Sequence, residues 1–365
     1  MTTVDNFFMN KAINLAKKGL GKTHPNPCVG SVLVANEKII GQGFHIKAGC
    51  DHAEIFALKE AGSKSKNSTL YITLEPCSHE GRTPPCVDSI IKAGVARVVI
   101  GSKDPNPMVN GEGIKQLRAA GINVEVNFMQ EQCEKLNPGF YKRMLERRPY
   151  VRSKIACSFD GKTSLNNRES KWISSEASRK DVQKWRQISA AVLTGVSTIN
   201  ADDPQLNVRQ SGIDTQPIRI ILDTHLSVNI NAKILNQPNI IIFYHDDPRG
   251  IQNLLEDKKI KLIRTKIKNG LIDLTVLLKQ LGDMEINDIL VESGPTLNGE
   301  LLKAQLIDEL IIYQAPILLA GDANSLFNQP VLQSMKDRIY LEHSDIRNFA
   351  GDIRYLSRVH YSHVD

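Results

Sequence analysis

Strand-like and helix-like segments alternate along the first 127 residues, and this order constrains the fold more than any other feature of the chain. Short apolar runs rich in β-branched residues, such as "VGSVLVAN" and "TLYITL", predict strands. Longer segments with helical spacing lie between them, such as "HAEIFALKEAG", in which Gly62 is a helix stop. This alternation predicts an α/β sheet covered by helices on both sides.

The chain length of 365 residues suits two domains. The basic, turn-rich segment "EKLNPGFYKRMLERRPY", with Pro138-Gly139 inside it, predicts a boundary near residue 148. After it, strand-like runs start again with "YVRSKIACS", "AAVLTG", "PIRIILD" and "NIIIFY". We therefore predict domains at 1–148 and 149–365, the second also α/β and neither built from repeats.

The start of the chain, "MTTVDNFFMNKAINLAKKGLG", has no basic stretch followed by an apolar core, so we expect no signal peptide. No apolar run approaches the roughly 20 residues that span a bilayer. These features predict a cytoplasmic protein, and disulfides are rare in that compartment. The six cysteines are therefore expected to be free or metal-bound, although a Cys77–Cys86 disulfide stays an alternative.

One imidazole and two thiolates come from His52, Cys77 and Cys86, and the carboxylate of Glu54 lies two residues from the imidazole. These residues stand in "HAE" and in "PCSHEGRTPPC", where a proline precedes each cysteine. Three nitrogen and sulfur ligands leave the fourth tetrahedral position open, which is typical of catalytic zinc. Zinc lowers the pKa of water there to about 7, and Glu54 can then carry protons instead of binding the metal.

Two other arrangements of this motif stay open. His79, between the cysteines, could replace His52 as the nitrogen ligand, although only His52 has a carboxylate beside it. A closed structural site of His52, Cys77, His79 and Cys86 would also satisfy zinc, but it would leave Glu54 without a role.

The spacing departs from the general zinc-deaminase signature, H-x-E followed by P-C-x-x-C, because eight residues separate the two cysteines. With "THPNPCVGSVLVAN", "GFH" and "DPNP", this longer spacing resembles the deaminase half of the bifunctional riboflavin-biosynthesis deaminase/reductases. The resemblance implies a cytidine-deaminase-like three-layer domain at 1–148. It also implies substrate contacts at Asn26, His45, Asp104 and Asn106.

The second half carries "KIACSFDGKTS", "ESKWIS", "GVSTINADDPQLNVR" and "VESGPTLNGEL", which resemble the reductase half of the same family. The resemblance implies a dihydrofolate-reductase-like domain that binds NADPH, and no Gly-x-Gly-x-x-Gly fingerprint follows its first strand. It implies cofactor contacts at Ala156, Trp172, Thr198, Asp202, Thr224, Gly294, Pro295, Thr296, Leu297, Asn298, Gly299 and Glu300. The implied substrate contacts are Ser170, Arg186, Leu206, Arg209 and Glu292, and we predict Lys154, on the first strand of this half, as a further site residue. Residues 321–365 match no motif.

The resemblance therefore implies two enzymes acting in sequence. The first uses zinc to deaminate 2,5-diamino-6-ribosylamino-4(3H)-pyrimidinone 5′-phosphate, with Glu54 as the catalytic proton carrier. The second uses NADPH to reduce the ribose of 5-amino-6-(5-phosphoribosylamino)uracil to ribityl. Arg186 and Arg209 suit the sugar phosphate because a guanidinium binds phosphate in a bidentate manner.

The net charge of +6 lies in the first half, where residues 1–148 carry 20 Lys and Arg against 14 Asp and Glu. A basic surplus suits a phosphorylated small molecule, but RNA or an ordinary solvated surface would suit it too. We predict a phosphorylated pyrimidine substrate, no nucleic acid or membrane partner, and a homo-oligomer. The alternatives are a nucleoside or tRNA deaminase with an accessory C-terminal domain, and a zinc-stabilised binding module without activity.

Overall fold

The computed structural model describes residues 3–78, 85–210, 212, 215–328 and 332–361. The chain forms two compact units, Met1–Arg148 and Pro149–Asp365. Within the described residues, none of the helices combines the length and hydrophobicity needed to cross a bilayer.

The first unit is built on a five-stranded sheet in the order β2-β1-β3-β4-β5. Its helices and strands are α1 (Thr3–Ala16), β1 (Gly30–Ala35), β2 (Lys38–Phe44), α2 (Ala53–Ala61), β3 (Thr69–Leu74), α3 (Cys86–Lys92), β4 (Arg97–Ser102), α4 (Glu112–Ala119), β5 (Asn123–Glu125), α5 (Gln130–Glu134) and α6 (Pro138–Glu146). Strand β1 is antiparallel to β2 and β3, whereas β3, β4 and β5 are parallel. The loops that follow β3 and β4 therefore lie at the same edge of the sheet.

Helices cover both faces of this sheet and make three layers. The apolar side chains of α2, α3 and α4 pack on one face, and those of α1 and α5 pack on the other. Two glycines of β2 let α2 lie directly on the sheet, because a Cβ added at Gly41 or Gly43 would lie 2.1 or 2.3 Å from a carbonyl oxygen of α2. This close approach fixes the N-terminus of α2, which follows His52 directly.

The second unit contains a nine-stranded sheet in the order β11-β10-β9-β8-β14-β6-β15-β18-β17. Its elements are β6 (Tyr150–Cys157), β7 (Lys162–Ser164), α7 (Glu176–Ile188), β8 (Ala191–Gly195), α8 (Val196–Asp202), β9 (Ile218–Leu222), β10 (Ile240–Tyr244), α9 (Gln252–Asp257), β11 (Lys261–Arg264), β12 (Ile267–Lys268), β13 (Leu271–Ile272), α10 (Leu274–Asp283), β14 (Asp288–Val291), α11 (Pro295–Lys303), β15 (Glu309–Gln314), β16 (Asn324–Ser325), β17 (Tyr340–Phe349) and β18 (Asp352–His360). Neighbours from β11 to β15 are parallel, and β18 is antiparallel to both β15 and β17.

The central parallel strands β8, β9, β10 and β14 of the second unit are buried on both faces, which explains why "IIIFY" and "RIIL" read as continuous apolar runs. Helices α10 and α11 pack on one face, and α7, α8 and α9 pack on the other. The predicted α/β sheets are confirmed in both units. The prediction of a turn-rich segment after residue 134 was wrong, because Pro138 occupies the first turn of helix α6.

Candidate active sites

A cluster of three metal-ligand side chains lies at the edge of the first sheet. His52 caps the start of α2, Cys77 follows β3, and Cys86 is the first residue of α3. The ligand atoms of the three residues lie within 4.8 Å of one another, with His52 Nδ1 at 3.2 Å from Cys86 Sγ and 3.5 Å from Cys77 Sγ. Both thiols are free, so the disulfide alternative is wrong. His79, the alternative ligand, lies outside the described residues.

Charge and hydrogen bonding around the cluster favour a thiolate. A hydrogen bond from Cys86 lowers the pKa of Cys77 to about 4, and the proximity of Cys77 raises the pKa of Cys86. The backbone amide of Cys86 also donates to Cys77 Sγ at 3.4 Å. One imidazole and two sulfur atoms at this spacing fit a tetrahedral zinc ion with one position left open.

The carboxyl of Glu54 is buried beside these ligands, with an exposed fraction of 3%. Burial raises its pKa to about 7, and the nearby His52 only partly offsets this effect. Its Oε2 atom has no hydrogen-bond partner among the described residues. Burying a polar atom without a hydrogen-bond partner costs free energy. Glu54 Oε2 is therefore suited to form a hydrogen bond with a bound molecule rather than with the protein itself.

The four residues predicted to contact the pyrimidine fall into two groups near the cluster. The Asn26 side chain lies 3.1 Å from His45 Nε2, and the rings of His45 and His52 meet edge to face with centroids 5.3 Å apart. Asp104 and Asn106 lie in the loop after β4, where Asp104 Oδ1 accepts a hydrogen bond from the Asn106 amide at 2.8 Å. Their contacts with substrate stay a prediction.

Sequence reasoning missed Glu75, which directly precedes the "PC" of the metal motif. Its buried carboxylate accepts hydrogen bonds from the backbone amides of Gly111, Ile114 and Asp104 at 2.9, 3.3 and 3.3 Å. Gly111 caps α4 without a side-chain hydrogen bond, so Glu75 takes the role of an N-cap from another part of the chain. The only sequence signal is its position beside Cys77.

Replacing Glu75 with alanine should lower the free energy of unfolding of the first unit by about 2–3 kcal/mol, because several buried amides lose a charged acceptor. The measurement is the urea concentration at which deaminase activity is lost. Glu112→Ala is the matched control, since this carboxylate is exposed at the start of the same helix. Equal urea midpoints for both variants would contradict the N-cap role.

Zinc content tests the ligand set directly. Wild-type protein should hold about one zinc ion per chain, and Cys86→Ala should lose most of it because two ligands rarely retain zinc. Cys50→Ala is the control, because Cys50 is a free, partly exposed thiol outside the cluster. Full zinc in the Cys86 variant, measured by atomic emission, would show that the ligand set is wrong.

The second unit contains a cavity of about 1000 Å³ lined by β6, α7, α8 and the turn between β14 and α11. It brings together all of the predicted substrate contacts of this half, namely Lys154, Ser170, Arg186, Leu206, Arg209 and Glu292. The predicted cofactor contacts that line it are Ala156, Trp172, Thr198, Asp202, Gly294, Pro295, Thr296 and Leu297. A Cβ added at Gly294 would meet no atom within 4 Å, so open space lies over the first turn of α11. Backbone amides at such a turn suit a phosphate, which fits a dinucleotide.

Four of the predicted cofactor contacts do not line this cavity. Asn298 is buried, accepts a hydrogen bond from Ser153 Oγ at 2.7 Å and donates to the Ser293 carbonyl at 3.0 Å. Gly299 allows close packing, since an added Cβ would lie 2.2 Å from the Asn328 carbonyl oxygen. Glu300 pairs with Lys303 at 3.7 Å, and the Thr224 carbonyl accepts hydrogen bonds from the amides of His245 and Asp246. Cofactor contact by these four residues stays a prediction.

Glu292 is the electrostatic centre of the cavity. Arg186 donates to it through Nε at 2.5 Å and Nη2 at 3.1 Å, and Lys154 Nζ lies 3.2 Å away. Burial alone would raise the pKa of Glu292, but Arg186 and Lys154 outweigh burial and lower the pKa to about 2. The third nitrogen of the Arg186 guanidinium, Nη1, donates to the Asn207 carbonyl. The pair of donors that could bind a phosphate, Nε and Nη2, is therefore already occupied by Glu292.

The predicted phosphate role is therefore better suited to Arg209. This residue is exposed, and its backbone amide donates to Gln183 Oε1 at 2.9 Å. None of the hydrogen bonds found among the described residues uses its guanidinium. Sequence reasoning also missed Arg179, whose guanidinium lies 4.4 Å from the centre of the Trp172 ring, because helix α7 itself was not predicted.

Fold and sites together define a two-enzyme chain, in which a zinc deaminase unit is joined to a dihydrofolate-reductase-like unit. Residues 2–102 match the model of the cytidine and deoxycytidylate deaminase zinc-binding region, and residues 149–355 match that of the RibD C-terminal domain. The chain belongs to the RibD family of riboflavin biosynthesis proteins. It is accordingly a bifunctional deaminase and reductase, and its two domains imply Zn²⁺ and NADPH as cofactors.

Relatives extend over nearly the whole chain. The Escherichia coli riboflavin biosynthesis protein RibD is 44% identical, over 96% of this chain and 98% of that protein. The Acinetobacter baumannii RibD structure is 42% identical, with a TM-score of 0.91 over 98% of this chain and 99% of that one. A Thermotoga maritima structure, a diaminohydroxyphosphoribosylaminopyrimidine deaminase/5-amino-6-(5-phosphoribosylamino)uracil reductase, is 31% identical with a TM-score of 0.86, covering 97% and 98% of the two chains. These matches favour the two-enzyme interpretation over a nucleoside or tRNA deaminase with an accessory domain.

Proposed function

We propose that the first unit deaminates 2,5-diamino-6-ribosylamino-4(3H)-pyrimidinone 5′-phosphate and that the second unit reduces the product, 5-amino-6-(5-phosphoribosylamino)uracil, to its ribityl form. The observation that carries the proposal is the cluster of His52, Cys77 and Cys86 beside the unpartnered oxygen of Glu54. The name of the Thermotoga maritima relative supports both reactions.

In the first unit, His52, Cys77 and Cys86 would hold zinc, which supplies a Lewis acid that makes water nucleophilic at neutral pH. Glu54 Oε2 takes the proton that the attacking water loses. The same carboxyl returns this proton to the departing amino group. The second hydrogen of the water ends on the neighbouring ring nitrogen, so that water and the ring amine become a ring carbonyl and ammonia with no net change in protons.

Substrate orientation in this unit falls to the residues around the cluster. His45 is held through Nδ1, which lies 3.1 Å from the Asp51 carbonyl, and its other nitrogen contacts Asn26. The Asp104 amide donates to the Glu75 carboxylate, and the Asn106 amide donates in turn to Asp104 Oδ1. Side chains fixed in this way can hold a planar ring with little further loss of conformational entropy on binding.

In the second unit, NADPH when bound supplies a hydride, and C1′ of the opened ribose is the acceptor. Trp172 and the turn from Gly294 to Leu297 would contact the cofactor. Glu292, kept ionised by Arg186 and Lys154, would accept hydrogen bonds from ribose hydroxyls. Arg209 would bind the 5′-phosphate, since guanidinium and phosphate form strong charge-assisted hydrogen bonds.

Product identification tests this proposal. Purified protein is incubated with the diaminopyrimidinone phosphate, with and without NADPH, and the products are identified by mass spectrometry. Without NADPH we expect the deaminated uracil phosphate, and with NADPH we expect its ribityl derivative. Turnover of a nucleoside or RNA but not of this pyrimidine would overturn the proposal.

Replacing Arg209 with alanine should raise the reductase KM for the deaminated substrate about 10–100-fold, because a charge-assisted hydrogen bond to phosphate is lost. Deamination by the same protein should be unchanged. Arg264→Ala is the control, since its Nε donates to the His245 carbonyl on an exposed strand. An unchanged reductase KM in the Arg209 variant would exclude the phosphate role.

The remaining expectations concern partners and location. A small-molecule substrate, the absence of a nucleic-acid partner, a homo-oligomeric state and a cytoplasmic location all stay predictions. Light scattering of the purified protein, with and without added tRNA, addresses the oligomer and the nucleic acid together.

A further inference from the structure

Two buried charges lie on the C-terminal hairpin, which comprises strands β17 and β18 and had matched no motif. Asp352 and Arg354 have exposed fractions of 3% and 5%. Charged side chains are rarely buried unless they are paired. Their partners therefore indicate what the hairpin holds in place.

The Asp352 carboxylate binds the first turn of α7. Its Oδ2 accepts hydrogen bonds from the Ser175 amide at 2.7 Å and from Ser178 Oγ at 2.6 Å. Ser175 is the N-cap of α7, and its hydroxyl donates to the Phe349 carbonyl of the same hairpin at 2.9 Å. A negative charge at a helix N-terminus is stabilising, so Asp352 fixes this end of α7.

Arg354 binds the middle of the same helix. Its Nη1 lies 2.7 Å from Asp181 Oδ2, an oxygen that also accepts a hydrogen bond from the Tyr313 hydroxyl at 2.7 Å. The guanidinium also contacts Asp345 and lies over the rings of Phe349 and Trp185, 5.2 and 5.6 Å from their centres. The hairpin, α7 and β15 are thus joined at one buried carboxylate.

Helix α7 supplies one wall of the reductase cavity. Arg179, Val182, Gln183 and Arg186 all line the cavity, as does Tyr313 of β15. Arg186 holds Glu292, and Gln183 holds the backbone of Arg209. A shift of α7 would therefore move all of these substrate-facing side chains at the same time.

We propose that Asp352 and Arg354 are positioning residues of the reductase. They fix the position of α7, so that Arg186 and Gln183 hold Glu292 and Arg209 where the substrate binds. This inference rests on the proposed reductase function of the second unit. The hairpin is then part of the substrate site through α7, although it contributes no residue to the cavity wall among the described residues.

The test compares Arg354→Met with Arg354→Lys and with the control Arg347→Met, an exposed arginine of the same hairpin that pairs with Asp345. The reductase is assayed with the deaminated pyrimidine phosphate and NADPH. We expect Arg354→Met to raise the substrate KM at least about tenfold, because small displacements of positioning groups have large effects. The NADPH KM should change less than the substrate KM, Arg354→Lys should recover part of the loss, and Arg347→Met should resemble wild type.

This pattern separates positioning from partial unfolding. Unfolded molecules contribute no turnover, so a partly unfolded variant loses kcat at an unchanged KM. The deaminase rate of each variant shows whether the rest of the chain is intact. Should Arg354→Met not fold, Asp352→Asn keeps the side-chain size and should raise the substrate KM severalfold.

Unchanged KM values in both the Arg354→Met and Asp352→Asn proteins, or a loss confined to kcat, would overturn the inference. Failure of the wild-type protein to reduce the substrate would instead overturn the proposed function, so the two failures are distinguishable.

Discussion

Glu54→Gln is expected to slow deamination roughly 10²–10⁴-fold, which is the usual cost of removing a general acid–base group. Glutamine has nearly the same size but cannot take up the proton that water loses. His52, Cys77 and Cys86 remain in place, so zinc content should stay at the wild-type level. Ammonia release and zinc content are measured on the same preparation.

Two controls accompany this variant. Glu60→Gln changes an exposed carboxylate near the end of the same helix α2 and should leave deamination unchanged. Given the already deaminated substrate and NADPH, the Glu54 variant should reduce it at close to the wild-type rate. Normal deamination by Glu54→Gln would remove this residue from the mechanism.

Glu292→Gln is expected to abolish most reductase activity and to destabilise the second unit. The side chain of glutamine has an NH2 group in place of one carboxylate oxygen. This group cannot accept a hydrogen bond from Arg186 or from the ammonium of Lys154. Two buried cations would also lose their counter-charge, and breaking a buried pair typically costs about 3–5 kcal/mol. The deaminase should be unaffected at neutral pH.

The pH dependence of stability follows from the pKa of Glu292, which is about 2 in the folded chain and about 4.3 in an unfolded one. A lowered folded-state pKa stabilises the protein above the unfolded value, and this contribution is lost as pH falls through the folded value. The difference corresponds to about 3 kcal/mol at neutral pH. The stability gap between wild type and Glu292→Gln should therefore be largest near neutral pH and narrow in acid.

Urea unfolding at several pH values measures this gap through the fluorescence of Trp172 and Trp185, the two tryptophans of the chain, which both lie in the second unit. Glu256→Gln is the matched control, because Glu256 is an exposed carboxylate on α9 that accepts a hydrogen bond from Gln252. A gap that is constant with pH would contradict the assigned ion-pair network.

The sheets and the metal cluster could be predicted because their signals are local. β-Branched runs such as "TLYITL" form strands at the expected positions, and β3 spans Thr69–Leu74. The motifs "PCSHEGRTPPC" and "HAE" supply three ligands of two types, which lie beside each other once β3 and α2 pack together. Gly294-Pro295 likewise marks the start of α11.

The elements that were missed depend on contacts between distant residues. Helix α7 has few apolar residues, and its buried positions include Asp181 and Arg186, whose partners lie more than a hundred positions away. The hairpin of β17 and β18 has a largely exposed outer strand, so it gives no alternating apolar pattern. Nothing in the sequence distinguishes Glu75 from a surface glutamate, because its hydrogen bonds with the amides at the start of α4 exist only in the folded chain. Hydrophobic periodicity cannot reveal buried charges of this kind.

The central claim is that one chain carries two successive reactions at two sites. The most direct measurement follows ammonia release and NADPH oxidation together while the purified wild-type protein consumes a known amount of the diaminopyrimidinone phosphate. We expect one ammonia and one NADPH for each substrate molecule consumed, and full ammonia release when NADPH is left out. Ammonia without any NADPH oxidation, or NADPH oxidation that precedes ammonia release, would contradict the account.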